Sequence, residues 1–136
     1  MHGQSIDLHE AVEADRQKFL HQVETTVASL SRWTTEVGAD LPLHRFEAQL
    51  FCRLMSLGCL LVTLWWSWRL PTTTPRVLRQ GPSSYLYRGL SNADVRTRFG
   101  VLWLRRPVYE LVSGPGPAFV CPQDRHMGLA AGRMSL

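Results

Sequence analysis

The residues whose types could support chemistry are few, and their spacing argues against a catalytic centre within this chain. Only three carboxylates follow Glu47, at Asp94, Glu110 and Asp124. Convergent on one ion, such groups could hold a catalytic magnesium. Here they fall at an expected strand start, a strand end and a helix cap, so structural or solvated roles are expected. Cys52 and Cys59 stand seven apart, which on a helix separates them by about 10 Å along the axis, too far for a disulfide or a shared zinc. Cys121 has no CxxC partner, and His2, His9, His21, His44 and His126 do not stand at ligand spacing from it. No metal or cofactor is expected in this chain. With an acidic first thirty residues lacking an apolar run, there is no cleavable leader pattern, and a reducing, cytoplasmic setting is expected.

The remaining chemistry belongs to arginine. In the stretch VRTRFGVLWLRRPVY, from Val95 to Tyr109, two short runs of branched and aromatic residues flank Gly100, the pattern of a hairpin. Arg96 and Arg98 share one strand face, with Val95, Thr97 and Phe99 on the other. A two-residue Phe99-Gly100 loop would set Arg96 opposite Trp103. A three-residue loop ending at Gly100 would set it opposite Leu102, and this longer loop is preferred because Phe is a poor residue at positive φ. Arg96, Arg98, Arg105 and Arg106 are candidates for DNA phosphate contact, joined by Arg76 and Arg79 upstream. The structural rival is that the hairpin arginines pair with the acidic first helix, through Glu10, Glu13, Asp15, Glu24 or Glu36.

Charge follows the same division. Residues 1–47 hold four Lys/Arg against eight Asp/Glu, and residues 48–136 hold eleven Arg against three acids. A basic half favours polyanions through counterion release, whatever the base sequence. Only Lys18 among fifteen basic residues is lysine, a bias that genomic base composition also produces.

The elements that must position these arginines are an α+β set. A first helix runs from about Leu8 to Val37, opened by Asp7 with Glu10 three residues on, a capping-box pattern. Its stripe of Leu8, Val12, Phe19, Val23, Val27, Leu30, Trp33 and Val37 could seed a dimeric coiled coil, giving a homo-oligomer through the N-terminal helices. Packing on the next helix is the commoner use and the one favoured. Gly38 and Pro42 end it and reverse the chain. The second helix, about Leu43 to Trp68, is uncharged from Leu54 to Trp68. Those fifteen residues rise about 22 Å, short of a roughly 30 Å hydrocarbon layer. A polar row at Arg45, Gln49, Arg53, Ser56, Thr63 and Ser67 also speaks against membrane insertion. Gly58 is expected where the first helix approaches closely. Of Trp65, Trp66 and Trp68, at least one is expected to be exposed or covered by another domain or subunit.

Residues 1–70 thus form a helical hairpin of two long antiparallel helices. Residues 71–83, rich in Pro and Gly, read as a linker. Residues 84–112 form a small antiparallel sheet, in which Pro107 belongs at an edge or break. Residues 113–136 form a tail with a short helix opened by Pro122 and Asp124.

The hairpin and tail together resemble the N-terminal half of DDE-type insertion-sequence transposases of the ISKra/ISLre kind. In these an R-T-x-F-G-x-V/L-x-L-x-R-R-x-x-Y hairpin precedes a P-L-D-x-x-L-G-L element. The matching residues are Arg96, Thr97, Phe99, Gly100, Leu102 and Leu104, then, one position earlier than in that pattern, Arg105, Arg106 and Tyr109, followed by Pro122, Asp124, Gly128 and Leu129. The helical stretch around Glu47, Leu50, Leu57 and Gly58 extends the likeness, which spans roughly Arg45 to Leu136. Gln123 and Met127 stand where the family has Leu, and Cys121 stands alone where some members have paired cysteines. The resemblance implies a truncated N-terminal portion of a DNA transposase that recognises element ends or assembles subunits. Such a portion is not an enzyme alone, with divalent metal expected only in a downstream nuclease domain. Two other readings stay open: a small membrane-associated protein using the Leu54 to Trp68 helix, and a degenerate reading frame whose product folds poorly.

Overall fold

The computed structural model describes residues 4–37 and 40–129. Gly38 and the end of the tail lie outside them. The architecture is α+β, with a helical hairpin laid against an antiparallel sheet. Strand β1 (Ser5–Asp7) leads into helix α1 (His9–Glu36), and helix α2 (Leu43–Arg69) returns antiparallel to it. Then come β2 (Thr73–Pro75), β3 (Val77–Gln80), β4 (Ser83–Thr97), β5 (Gly100–Ser113), β6 (Phe119–Val120) and the short helix α3 (Pro122–His126). β1 pairs with β2, and the larger sheet has the order β3-β4-β5-β6.

Each helix is bounded by identifiable chemistry, though not always the expected one. The Asp7 carboxylate accepts from His9 N–H at 2.9 Å, yet the cap position belongs to Leu8 and no side chain caps α1. Asp7 sits one residue too early because it is held in β1 opposite Thr73, so the expected capping box does not form. Pro42, extended at φ −61° and ψ 150°, opens α2, and its carbonyl accepts from Arg45 and Phe46 N–H. At the other end Leu70 is extended with ψ 138°, as the following Pro71 requires. The last carbonyls of α2 would be orphans there. Arg16 reaches across from α1 and donates to Ser67 O at 3.0 Å, Leu70 O at 3.1 Å and Trp68 O at 3.4 Å. A cation at this helix end also complements its dipole.

The two helices meet through aromatic and cation–π contacts. Trp33 stacks on Phe46 at 5.2 Å, Arg53 lies over the Trp33 ring at 4.3 Å and Arg16 over Trp68 at 4.6 Å. Of the α1 stripe only Val12 and Trp33 are buried within the helix, while Val27 and Val37 stay exposed. At Gly58 the close neighbour is the ring of Phe99 at the hairpin tip, so the sheet approaches there and α1 does not. α2 runs for 27 residues, about 40 Å, and by length and composition alone it could cross a membrane. The helix thus extends well beyond the uncharged fifteen residues, into turns that carry Arg45, Glu47, Arg53 and Arg69.

The segment expected as a linker is structured. β2 completes a pair with β1, and β3 turns through Gly81-Pro82 into β4, with Gln80 opposite Ser83. β4 is one strand of 15 residues because the register shift between Tyr87 and Gly89 absorbs Gly89 at φ +131° as a bulge. Pro107 pairs with Leu90 in a stretch of β5 where β6 does not reach, so its missing N–H faces a local edge. Near the hairpin tip the two strands alternate, and the alternation changes parity at the buried Arg106-Pro107 pair. Ala93, Val95, Leu102 and Leu104 are buried, and the last three form one core with Leu8, Val12, Trp66 and Leu70.

A second buried centre is phenolic. Tyr109 O–H lies 2.6 Å from Thr74 Oγ1 and 2.5 Å from Pro75 O, and Tyr87 meets the Tyr109 ring edge-on at 5.8 Å. Burial raises the Tyr109 pKa above the ordinary phenol value, partly offset by the Thr74 hydrogen bond. Burial likewise raises Tyr87, reinforced by Tyr109 and opposed by Arg105. A raised folded-state pKa means the unfolded chain ionises first as pH climbs. Stability contributed by these phenols is therefore complete below pH about 10 and is lost as pH rises through their folded values. Urea midpoints measured from pH 8 to 11 should fall above pH 10, and Tyr87→Phe/Tyr109→Phe should flatten that fall. An equal alkaline loss in the double variant would exclude this origin.

Candidate nucleic-acid interface

The ribbon of β4 and β5 turns through two residues, Arg98 and Phe99, with Thr97 opposite Gly100 and Arg96 opposite Val101. This is neither register weighed from sequence. Thr97 fixes the turn, its Oγ1 accepting from Phe99 N–H at 3.2 Å and donating to Gly100 O at 2.9 Å. Gly100, at φ +134°, takes the conformation that side chains avoid. Phe99 is turned toward Gly58, and Cys59 Sγ donates to Phe99 O at 3.1 Å. The tip is thereby anchored on α2 by a contact that neither loop rule foresees.

Anchoring sorts the six candidate arginines into three groups. Arg96 and Arg98 are together at the tip and exposed, with exposed Val101 and Trp103 beside them. Arg105 and Arg106 are committed inward. Arg105 Nη1 lies 3.2 and 3.3 Å from the Asp15 carboxylate oxygens, as the structural rival expects. Arg106, 6% exposed, donates to Asp124 at 3.0 and 3.5 Å and to Ser91 O at 3.3 Å. Its partner is the tail and not the acidic first helix. Asp124 spends its carboxylate on this pair, and α3 has no side-chain cap. Arg76 and Arg79 sit near the opposite end of the ribbon, since β3 pairs with Ser83 to Leu86, roughly 40 Å along the strand from the tip. Arg76 donates to Gln4 Oε1 at 3.0 Å, and Arg79 is exposed. One continuous phosphate-tracking surface through all six does not form.

The ribbon face opposite Leu102 and Leu104, whose Arg105 end turns in toward Asp15 of α1, adds residues that charge counting overlooked. The cross-strand pairs Asn92 with Arg105, Asp94 with Trp103 and Arg96 with Val101 share that face. Trp103 is 67% exposed. A cleft of about 340 Å³ between ribbon and helices is lined in part by Lys18, Phe19, Thr63, Asn92, Trp103 and Arg105. Only the strict alternation around Leu102 and Leu104 could have shown Trp103 to be outward. Cationic groups beside an exposed indole suit contact with a phosphate backbone and stacking on a base. Among the described residues no three His, Cys, Asp or Glu side chains group as a metal site. Set against family models, curated proteins and solved structures, the chain matches none.

Proposed function

We propose that the chain is the DNA-engaging N-terminal part of a DNA transposase of the insertion-sequence kind, serving element-end binding and subunit assembly, with cleavage carried out elsewhere. The observation that carries this reading is the anchored tip, where Arg96 and Arg98 stand exposed next to Trp103 while the neighbouring Arg105 and Arg106 are spent on internal pairs. The sequence resemblance supports it. So does the way its two halves are joined, since Arg106, the second member of the hairpin's Arg-Arg pair, binds the aspartate of the P-Q-D element. That pair gives a physical reason for an Arg-Arg hairpin and a downstream Pro-x-Asp to occur in one chain.

Arg96→Ala/Arg98→Ala should weaken binding to duplex DNA and make the log K against log salt slope shallower by about 2. Stability should change by less than about 0.5 kcal/mol, as for exposed sites. Anisotropy titrations at several salt concentrations, on a duplex carrying the element's terminal repeat and on a scrambled duplex, measure both the slope and any preference. Unchanged affinity per folded molecule would defeat the reading.

A second reading, a membrane-associated protein, is favoured by one observation. Only 6% of the most apolar 18-residue window of α2 is buried. Against it, the flanks of α2 hold the arginine-bearing α1 and the ribbon tip, which a lipid-bathed helix could not keep. Carbonate-resistant membrane association would favour this second reading.

A further inference from the structure

The exposed face of α2 has an order that the monomer does not use. Leu43, Leu50, Leu57 and Leu64 recur every seven residues, and Leu54, Leu61 and Trp68 form a second seven-residue series offset by four and three. Such a 3.5-residue repeat is the seam of a coiled coil, with Leu at every d position. Around the helix axis, at 100° per residue, this seam lies between two occupied flanks. One flank holds Arg53 and Ser67 against α1. The other holds Gly58, Cys59 and Trp66 against the ribbon. Along the seam Leu43, Leu54, Leu61 and Trp68 are exposed, Leu50, Leu57 and Leu64 are half-buried, and Arg16 of α1 covers one face of the Trp68 ring.

We infer that α2 is the interface of a homodimer, packing antiparallel on α2 of a second copy of this chain. Leu43, Leu54, Leu61 and Trp68, with the flanking Phe51 and Trp65, are 46% to 70% exposed. At roughly 200 Å² for a fully exposed large side chain, these six present on the order of 650 Å² per chain, close to the ~800 Å² each partner gives to a stable interface. An apolar face of this size is larger than a monomer ordinarily leaves to water. The period selects a helix as the occupant, because lipid would require no heptad register and no single stripe. Charge selects the direction. Glu47 interrupts the apolar series near the start of the seam, and Arg69 follows its end. A parallel pair sets Glu47 against its own copy, whereas an antiparallel pair with Leu57 opposite Leu61 sets Glu47 beside Arg69 of the other chain. The inference concerns a different surface from the ribbon tip and stands whether or not the tip binds DNA.

Light scattering on the full chain after size exclusion should give twice the chain mass. Leu54→Arg/Leu61→Arg should halve that mass with an unchanged far-ultraviolet circular dichroism spectrum, because both positions are exposed in the monomer. Direction is read by cysteine cross-linking in a background with Cys52, Cys59 and Cys121 changed to Ser. Leu54→Cys/Leu64→Cys should cross-link between chains, and Leu64→Cys alone should not, since its two copies lie about 15 Å apart along the antiparallel axis. A monomeric wild-type chain, or a dimer that survives the double arginine change, would overturn the interface. So would flotation of the wild-type monomer with phosphatidylcholine/phosphatidylglycerol vesicles, which assigns the face to lipid. Efficient cross-linking of the single Leu64→Cys variant would overturn the antiparallel arrangement.

Discussion

Asp124→Ala should destabilise the fold by about 3–5 kcal/mol, because it strands a buried charge. The Arg106 side chain is 7% exposed and its Asp124 partner 21%, so little water can replace the lost carboxylate. Ser91 O, at 3.3 Å from Nη1, would be the one remaining acceptor among the contacts described. The reverse change, Arg106→Ala, leaves Asp124 on a small helix that Gln123 still tethers through its bond to Arg69 O at 3.0 Å, and should cost less. The pair Arg106→Met/Asp124→Leu should recover most of the loss, since replacing both charges by apolar groups removes the desolvation penalty with the attraction. Urea unfolding at constant m would measure all three. A midpoint for Asp124→Ala within error of wild type would mean that the guanidinium finds water and that the tail does not close the sheet.

That ion pair marks the boundary between what the sequence discloses and what it does not. The helical hairpin is legible because Pro42 and the pre-proline Leu70 fix where α2 begins and ends, and because the apolar spacing of both helices is regular over many turns. The ribbon is legible from alternation alone, which puts Val95, Leu102 and Leu104 inside and Arg96 outside. Its register is not. The turn sits at Arg98-Phe99, where Phe99 packs on the bare backbone of Gly58 and accepts from Cys59, a tertiary contact forty residues away. β2 and β3 were hidden by Pro71, Pro75, Gly81 and Pro82, whose turn signals are real but leave strands of three or four residues among them, and the three residues of β1 become a strand only by pairing with β2. The arginines were visible as a set, yet their division into tip and interior depends on Asp15 and Asp124 arriving from distant parts of the chain. No local rule carries that information. Even so, the acid-rich first helix allowed the internal pairing of Arg105 to be named as a rival beforehand.

Trp66→Ala should be at least as damaging as the loss of Asp124, at about 3–5 kcal/mol. Trp66, 3% exposed, belongs to the core cluster that joins Leu8 and Val12 from the N-terminal segment to Val95, Leu102 and Leu104 of the ribbon. Its indole N–H also donates to Arg105 O at 2.8 Å, so truncation opens a cavity and removes a hydrogen bond from the β5 backbone in one step. The neighbouring tryptophans provide the control. Trp65 and Trp68 are about half exposed, and Trp65→Ala should shift the unfolding midpoint far less in the monomer. Trp66→Phe separates the two contributions, keeping most of the ring while removing the donor, and should cost about 1–3 kcal/mol for the carbonyl left without it. If Trp66→Ala instead left the midpoint near wild type, helices and ribbon would have to fold without each other. The anchored presentation of Arg96 and Arg98 would then have no physical basis, because it depends on the ribbon lying fixed on α2.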